Sequence, residues 1–209
     1  MELMDFIILS LLWIIWCALH SFMISITFIS FLQKRLKYSF KFYRLFYNIF
    51  AAISFFWILW YTSGIKGTLI FQWNGWLQII QFLLLAGSAV LFWTGAGNYD
   101  FLQFSGLRQI KEGTNHSSIS EINQINTSGI LGITRHPWYF GAILFIWSVS
   151  KDIDAASMTV KVIWTIYLSI GTFLEERKLV IEYGDEYLKY KQKVSMLFPF
   201  KALKNLWKT

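Results

Sequence analysis

Two polar clusters interrupt an otherwise apolar chain, and both carry residue types that bind or move charge. The first is ITRHPWYFG, residues 133–141. Pro137 suits the first turn of a helix, where its missing N–H costs nothing. His136 precedes it as a candidate cap. The free N–H groups of such a helix start, together with Arg135, would accept a carboxylate or a phosphate. Gly141 would let a bulky ligand or another helix approach closely. The blander reading is a boundary arginine, a boundary proline and a packing glycine. The second cluster is LEERKLVIEYGDEY, residues 174–187. Glu175 and Glu176 directly follow an apolar run, and a carboxylate near hydrocarbon is costly unless it is paired or wet. Arg135 is the natural partner in type, with Arg177 and Lys178 competing. Such a carboxylate could bind an amine or ribose hydroxyls, or take a proton if burial raised its pKa.

A weaker third cluster joins WCALHS (16–21) to FKFYRLFYN (40–48). His20 sits inside an apolar helix and needs hydrogen-bond partners if buried. Ser21, Tyr43, Arg44 and Asn48 are the polar groups nearest in expectation, and a neutral histidine bonded across helices is the simplest outcome. The chain has three histidines and one cysteine, Cys17. That is too few for a pair of bis-histidine haems, and no metal site is expected. A disulfide framework within the chain is excluded. No P-loop, GxGxxG, HExxH or GxSxG pattern occurs.

These clusters need elements to position them. Of 209 residues, 56% are apolar, 20% aromatic and only 15% charged. Charge is too scarce to coat a soluble enzyme of this size. The expected fold class is all-α: a polytopic membrane protein with about five transmembrane helices and a C-terminal amphipathic segment. Phe6 to Gln33 carries no charge and exceeds the roughly 20 residues needed to cross the hydrocarbon. The expected helices cover about 4–32, 45–63 and 76–95, then a tight hairpin of about 137–150 and 156–178. The insert 97–129 is polar and rich in Asn, Ser and Gly, so it reads as a loop with at most short helices. Apolar Leu179, Tyr183, Tyr187, Tyr190 and Val194 recur at helical spacing in the tail, which predicts a helix lying on the membrane surface with a bend at Gly184. The organisation expected is one domain, 1–209, made of three N-terminal spans within 4–95, a cytoplasmic loop at 96–135 and a site-bearing hairpin and tail at 136–200.

The net charge is +7. The cations flank the apolar runs, which fits anionic headgroups better than nucleic acid. Sixteen of the nineteen lysines and arginines fall on one side of a five-span arrangement. The positive-inside rule then puts the N-terminus outside and the C-terminus in the cytoplasm.

Taken together, Arg135-His136-Pro137-Trp138-Tyr139-Phe140-Gly141, then Glu175-Glu176-Arg177-Lys178-Leu179, then Tyr183-Gly184 through Tyr187 and Tyr190, and finally Pro199 resemble the integral membrane methyltransferases that use S-adenosylmethionine (SAM). These include isoprenylcysteine carboxyl methyltransferases, phospholipid N-methyltransferases and methanethiol S-methyltransferases. The pattern covers about 70 residues. LHS (19–21) and YRLFYN (43–48) more weakly resemble the methanethiol and nitrite/nitric-oxide-associated branch, and Ser195 stands where the family often has proline. The resemblance implies SAM as methyl donor, a small or lipid-soluble acceptor, membrane lipids as surroundings and a bacterial or archaeal inner membrane. It implies that His136, Tyr139, Gly141, Glu176, Leu179 and Tyr187 bind the cofactor. It implies that Arg135 and Glu175 shape the pocket, with Arg177, Tyr43 and Arg44 near the acceptor. A small thiol is the first acceptor expected; prenylcysteine carboxyls and lipid amines are the alternatives. An NADPH-dependent membrane reductase and a non-enzymatic assembly protein are the competing classes.

Overall fold

The computed structural model describes residues 3–97, 100–113, 125 and 127–207; Asn115 and His116 of the polar insert lie outside the described residues. The protein is an all-α polytopic membrane protein. Four helical stretches among the described residues are long and apolar enough to cross a bilayer: Leu3–Met23, Ile26–Ser63, Leu77–Ala96 and Ala155–Lys193. A fifth apolar helix, α7 (Pro137–Ser148), has 12 residues, or about 18 Å at 1.5 Å per residue, and is too short to cross alone.

The chain divides into two compact units, 1–70 with 99–121 and 154–163, and 71–98 with 122–153 and 164–209. In the first unit, the expected helix over 4–32 is two helices, α1 (Leu3–Met23) and α2 (Ile26–Leu36). Ser25 causes the break: its extended backbone starts a new helix, and its hydroxyl accepts from the Phe28 amide at 3.3 Å, which is N-cap geometry. A 3-10 turn (37–42) leads into α3 (Tyr43–Ser63). Three polar ties seam α1 to α3 in antiparallel register. The Trp13 indole donates to Thr62 Oγ1 at 3.0 Å, and the Trp16 indole donates to Ser54 Oγ at 2.9 Å. The third joins the Tyr47 hydroxyl and His20 Nε2, 2.6 Å apart. His20 is therefore bonded across helices as expected, but through Tyr47.

The described part of the insert forms the expected short helices, α5 (Phe101–Ser105) and α6 (Leu107–Glu112). Asn48 donates to the Phe104 and Ser105 carbonyls, and Arg44 Nε donates to the Phe104 carbonyl. Orphan carbonyls at the end of α5 are thereby satisfied. Gly106, at φ 88°, makes this approach possible, because a Cβ there would lie 2.7 Å from the Leu45 nitrogen.

In the second unit, α4 (Leu77–Ala96) packs antiparallel on α7 through small residues. Ser88 Oγ donates to the Gly141 carbonyl at 2.8 Å, and Gln81 donates to the Ser148 carbonyl at 2.8 Å. A Cβ at Gly141 would meet Leu91 Cβ at 3.2 Å, and one at Gly95 would collide with Trp138. Such close backbone approach is how helices associate without a hydrophobic drive. Two short strands that the pattern did not announce, β1 (Leu69–Gln72) and β2 (Asp152–Asp154), pair as a two-stranded sheet.

The last long helix, α8 (Ala155–Lys193), begins at a reciprocal cap. Ser157 N–H donates to Asp154 Oδ1 at 2.8 Å, and Asp154 N–H donates to Ser157 Oγ at 2.9 Å. Burial pushes the Asp154 pKa up, but bonds from Ser157, Gly67 and Ala156 outweigh it and hold the carboxyl below its ordinary value. The helix breaks at Gly184, with φ 55° and ψ −131°, a conformation open essentially to glycine alone. A final short helix, α9 (Phe200–Leu206), follows. The tail's apolar stripe differs from expectation: Tyr187, Tyr190 and Val194 are buried and packed by Leu179, Val180 and Tyr183. Protein, not lipid, covers that face.

Candidate functional site

The α7–α8 hairpin sets the site by its register. Trp147 donates to Thr165 Oγ1 at 3.0 Å, Tyr139 packs on Gly171, and His136 meets Glu176. One antiparallel register runs through all three contacts. The two clusters separated by some 40 positions in sequence are therefore opposite each other by geometry.

Glu176 is the centre. Its Oε1 accepts from Arg135 Nε at 2.8 Å, His136 Nε2 at 2.9 Å and Tyr187 hydroxyl at 2.7 Å. Its Oε2 accepts from Arg135 Nη2 at 2.9 Å and pairs with Lys191 Nζ at 3.0 Å. The carboxylate is 5% exposed and Arg135 6%. Five donors occupy essentially all the lone-pair directions of one carboxylate. A buried charge so fully paired is the tolerable form of an otherwise costly one. Arg135 also donates through Nη1 to the Lys191 and Val194 carbonyls. The guanidinium thus ties α7's approach to the second limb of α8.

Backbone pairing locks the same junction. Thr134 and Ser195 form a parallel bridge; the Arg135 amide donates to the Ser195 carbonyl at 3.0 Å and the His136 amide to the Met196 carbonyl at 3.2 Å. Tyr190 hydroxyl donates to the Leu131 carbonyl at 2.6 Å. The Gly184 corner is what permits this. In a straight helix, eleven residues from Glu176 to Tyr187 would rise about 16 Å, far beyond the reach of a tyrosine. The break folds the second limb back so that the hydroxyl arrives at 2.7 Å.

Of the expected site residues, Arg135, His136, Glu176 and Tyr187 converge directly. Glu175 stands beside them: its Oε2 is 3.9 Å from His136 Nδ1, and its side chain is 36% exposed. Tyr139 presents its ring edge-on to His136, with centroids 5.8 Å apart. Leu179 is half-buried against the Tyr187–Tyr190–Val194 cluster. Gly141 faces α4 and serves that helix contact. Arg177 is exposed. Tyr43 and Arg44 belong to the first unit, where the Tyr43 hydroxyl donates to the Met23 carbonyl at 2.7 Å and Arg44 holds α5. Lys191 and Tyr190 are not among the residues expected at the site, although Tyr190 belongs to the tail's helical stripe. Their signal was the i, i+3, i+4 spacing after Tyr187, which becomes informative only once the corner at Gly184 is known. Among the described residues no cluster of three or more His, Cys, Asp or Glu could hold a metal ion.

Fold and site together define an integral membrane protein whose polar centre lies at the mouth of a helical hairpin. The NnrU protein family model matches residues 8–153, and the chain belongs to that family. That match ends before Glu175 and Glu176. The chain is 35% identical over 114 residues to methanethiol S-methyltransferase 1 of Bradyrhizobium diazoefficiens, covering 54% of this chain and 39% of that one. It is 29% identical over 133 residues to methanethiol S-methyltransferase of Pseudomonas deceptionensis, covering 59% and 50%. To the enzyme of that name from Crocosphaera subtropica it is 26% identical over 155 residues, covering 74% and 60%. The chain therefore spans about half the length of the relatives it matches. No solved structure matches it.

Proposed function

We propose that the protein is a SAM-dependent methyltransferase that acts on a small thiol of the methanethiol type at the membrane. The observation that carries this reading is the hairpin register that joins RHP (135–137) to EE (175–176), in a chain similar to proteins named methanethiol S-methyltransferase. With α7 taken as a fifth crossing in its hairpin with α8, sixteen of nineteen cations face inward, which fits the N-terminus outside and the C-terminus in the cytoplasm of a bacterial inner membrane.

The donor set fits a cationic, hydroxyl-rich cofactor in one particular way. Glu176 has its oxygens taken by Arg135, His136, Tyr187 and Lys191, so it positions its neighbours. Glu175, half-exposed one residue earlier, is the carboxylate left to meet an amine or a ribose diol. The His136 Nδ1 edge flanks it, the Tyr139 ring stands edge-on to that imidazole, and Leu179 offers an apolar surface for adenine. When bound, SAM would supply an electrophilic methyl for the acceptor sulfur, the donor sulfur keeping the old bonding pair and the thiol proton passing to water. The protein's work is alignment and exclusion of water, which can lower a barrier by several kcal/mol. Arg177, exposed beside Glu175 and Glu176, is the residue proposed for the acceptor side.

The test is incubation of the lipid-reconstituted protein with labelled SAM and a panel of thiols, prenylcysteines and aminolipids. A labelled volatile sulfide from methanethiol is the expected product. Labelled lipid or prenylcysteine alone would overturn the thiol assignment, and no SAM binding would leave an assembly role. Glu175→Gln should weaken SAM binding by about tenfold, the scale of one charged hydrogen bond, with folding unchanged. Unaltered affinity would remove Glu175 from the cofactor site.

A further inference from the structure

The last residues of the chain form a surface that the site does not use. After Glu186 the sequence has six lysines and no acidic residue. Phe200 and Leu203 on α9 and Trp207 just past its end fall at i, i+3 and i+7, the spacing of one helical stripe. They are 69%, 42% and 90% exposed, and Phe198, ring to ring with Phe200 at 4.4 Å, is exposed too. Lys189, Lys193 and Lys204 are also exposed.

This surface is held in place. The Lys201 amide donates to Ser195 Oγ at 3.0 Å, and its ammonium donates to the Lys191 and Gln192 carbonyls at 2.6 and 3.0 Å. The Ser195 and Met196 carbonyls in turn receive the Arg135 and His136 amides. The stripe is thus bolted to the Glu176 centre, and its aromatic face is presented ready-made. It also follows, by one corner at Gly184, a helix apolar enough to cross the bilayer.

We propose that Phe198–Trp207 docks on the anionic headgroup layer of the membrane, with Phe200, Leu203 and Trp207 entering the interface and the lysines lying against lipid phosphates. Aromatic and leucine side chains beside lysines match the chemistry of an interfacial helix. A second copy of the chain is a poor occupant, because two faces bearing only positive charge repel. The attraction must weaken with salt, since exposed charges are screened beyond about 8 Å at physiological ionic strength.

The experiment uses the full chain carrying Cys17→Ser and Trp207→Cys, labelled with a polarity-sensitive fluorophore, in nanodiscs. Discs of phosphatidylcholine are compared with discs that also contain phosphatidylglycerol. The expected result is a blue shift, with collisional quenching by headgroup nitroxide lipids, in the anionic discs. Both signals should be lost at high salt and reduced by Lys193→Gln with Lys204→Gln. Leu203→Cys, labelled on the same stripe, repeats the measurement should the first variant fold poorly. Identical spectra in the two lipid compositions would overturn the proposal. So would a shift that appears only when two chains share a disc, which would make the occupant a second copy.

Discussion

The seam between α1 and α3 and the centre around Glu176 solve the same problem by opposite means. Both put polar atoms inside an apolar protein. The seam uses neutral pairs, each with one donor and one acceptor: Trp13 with Thr62, Trp16 with Ser54, Tyr47 with His20. The Glu176 centre gathers an arginine, a histidine, a tyrosine and a lysine on one carboxylate. A neutral pair contributes about 1 kcal/mol net, and its loss disturbs only its own partners. A charged hub cannot be dismantled piecemeal, because removing its centre strands the remaining charges in low dielectric. The start of α7 and both limbs of α8 depend on that one side chain, whereas the seam spreads its ties along two helices. The seam therefore reads as a graded zipper, and the hub as a single fastening on which the proposed chemistry rests.

The sharpest way to break this contrast is Glu176→Ala. It leaves Arg135, itself 6% exposed, facing Lys191 without their shared anion. The expected cost is about 3–5 kcal/mol, measured by unfolding in mixed micelles, together with loss of the proposed methyl transfer. A variant that unfolds no earlier than a seam variant would show that the hub is dispensable and the contrast empty.

A smaller effect is expected at the corner. Gly184→Ala places a side chain at φ 55°, ψ −131°. A Cβ there would touch nothing within 4 Å, so the penalty is conformational and not a clash. It should be about 1–3 kcal/mol, seen as a lower unfolding midpoint and as weaker protection of the tail from proteolysis. An unchanged midpoint would mean that the second limb reaches Glu176 without the corner, and the hub would then owe nothing to Gly184.

Much of this was legible in the residues because the relevant signals are local. Long uncharged runs announced α3 and α4 to within a few positions and the start of α1, and Pro137 announced the start of α7. The meeting of RHP and EE followed from a tight hairpin alone. What escaped depends on contacts far apart in sequence or on single backbone choices. Ser25 starts a new helix inside an uncharged run, so hydropathy saw one helix where there are two. Tyr47, one turn along α3 from Tyr43 and Arg44, is the partner of His20 in place of the polar groups expected there. The strand Asp152–Asp154 has two acids in three residues and no apolar alternation to betray it. The tail's tyrosine stripe was assigned to lipid because periodicity reports an apolar face but not what covers it; the Gly184 corner turns that face inward.

Tyr47→Phe tests the other side of the contrast and should have the smallest effect. It removes one hydroxyl from His20 Nε2, 2.6 Å away, and leaves the ring, which packs on His20 with centroids 5.4 Å apart. The Trp13 and Trp16 ties further along the same seam remain. The cavity of about 170 Å³ lined by Trp16, His20, Tyr47 and Ser54 gives the imidazole room to adjust, so a strained core is not created. The expected loss is about 1 kcal/mol in the same micellar unfolding measurement, with methyl transfer retained, because a zipper tolerates one missing tooth. If stability held while methyl transfer vanished, the His20–Tyr47 pair would belong to the chemistry, and the division between a structural seam and a functional hub would have to be redrawn with the acceptor placed against α1 and α3.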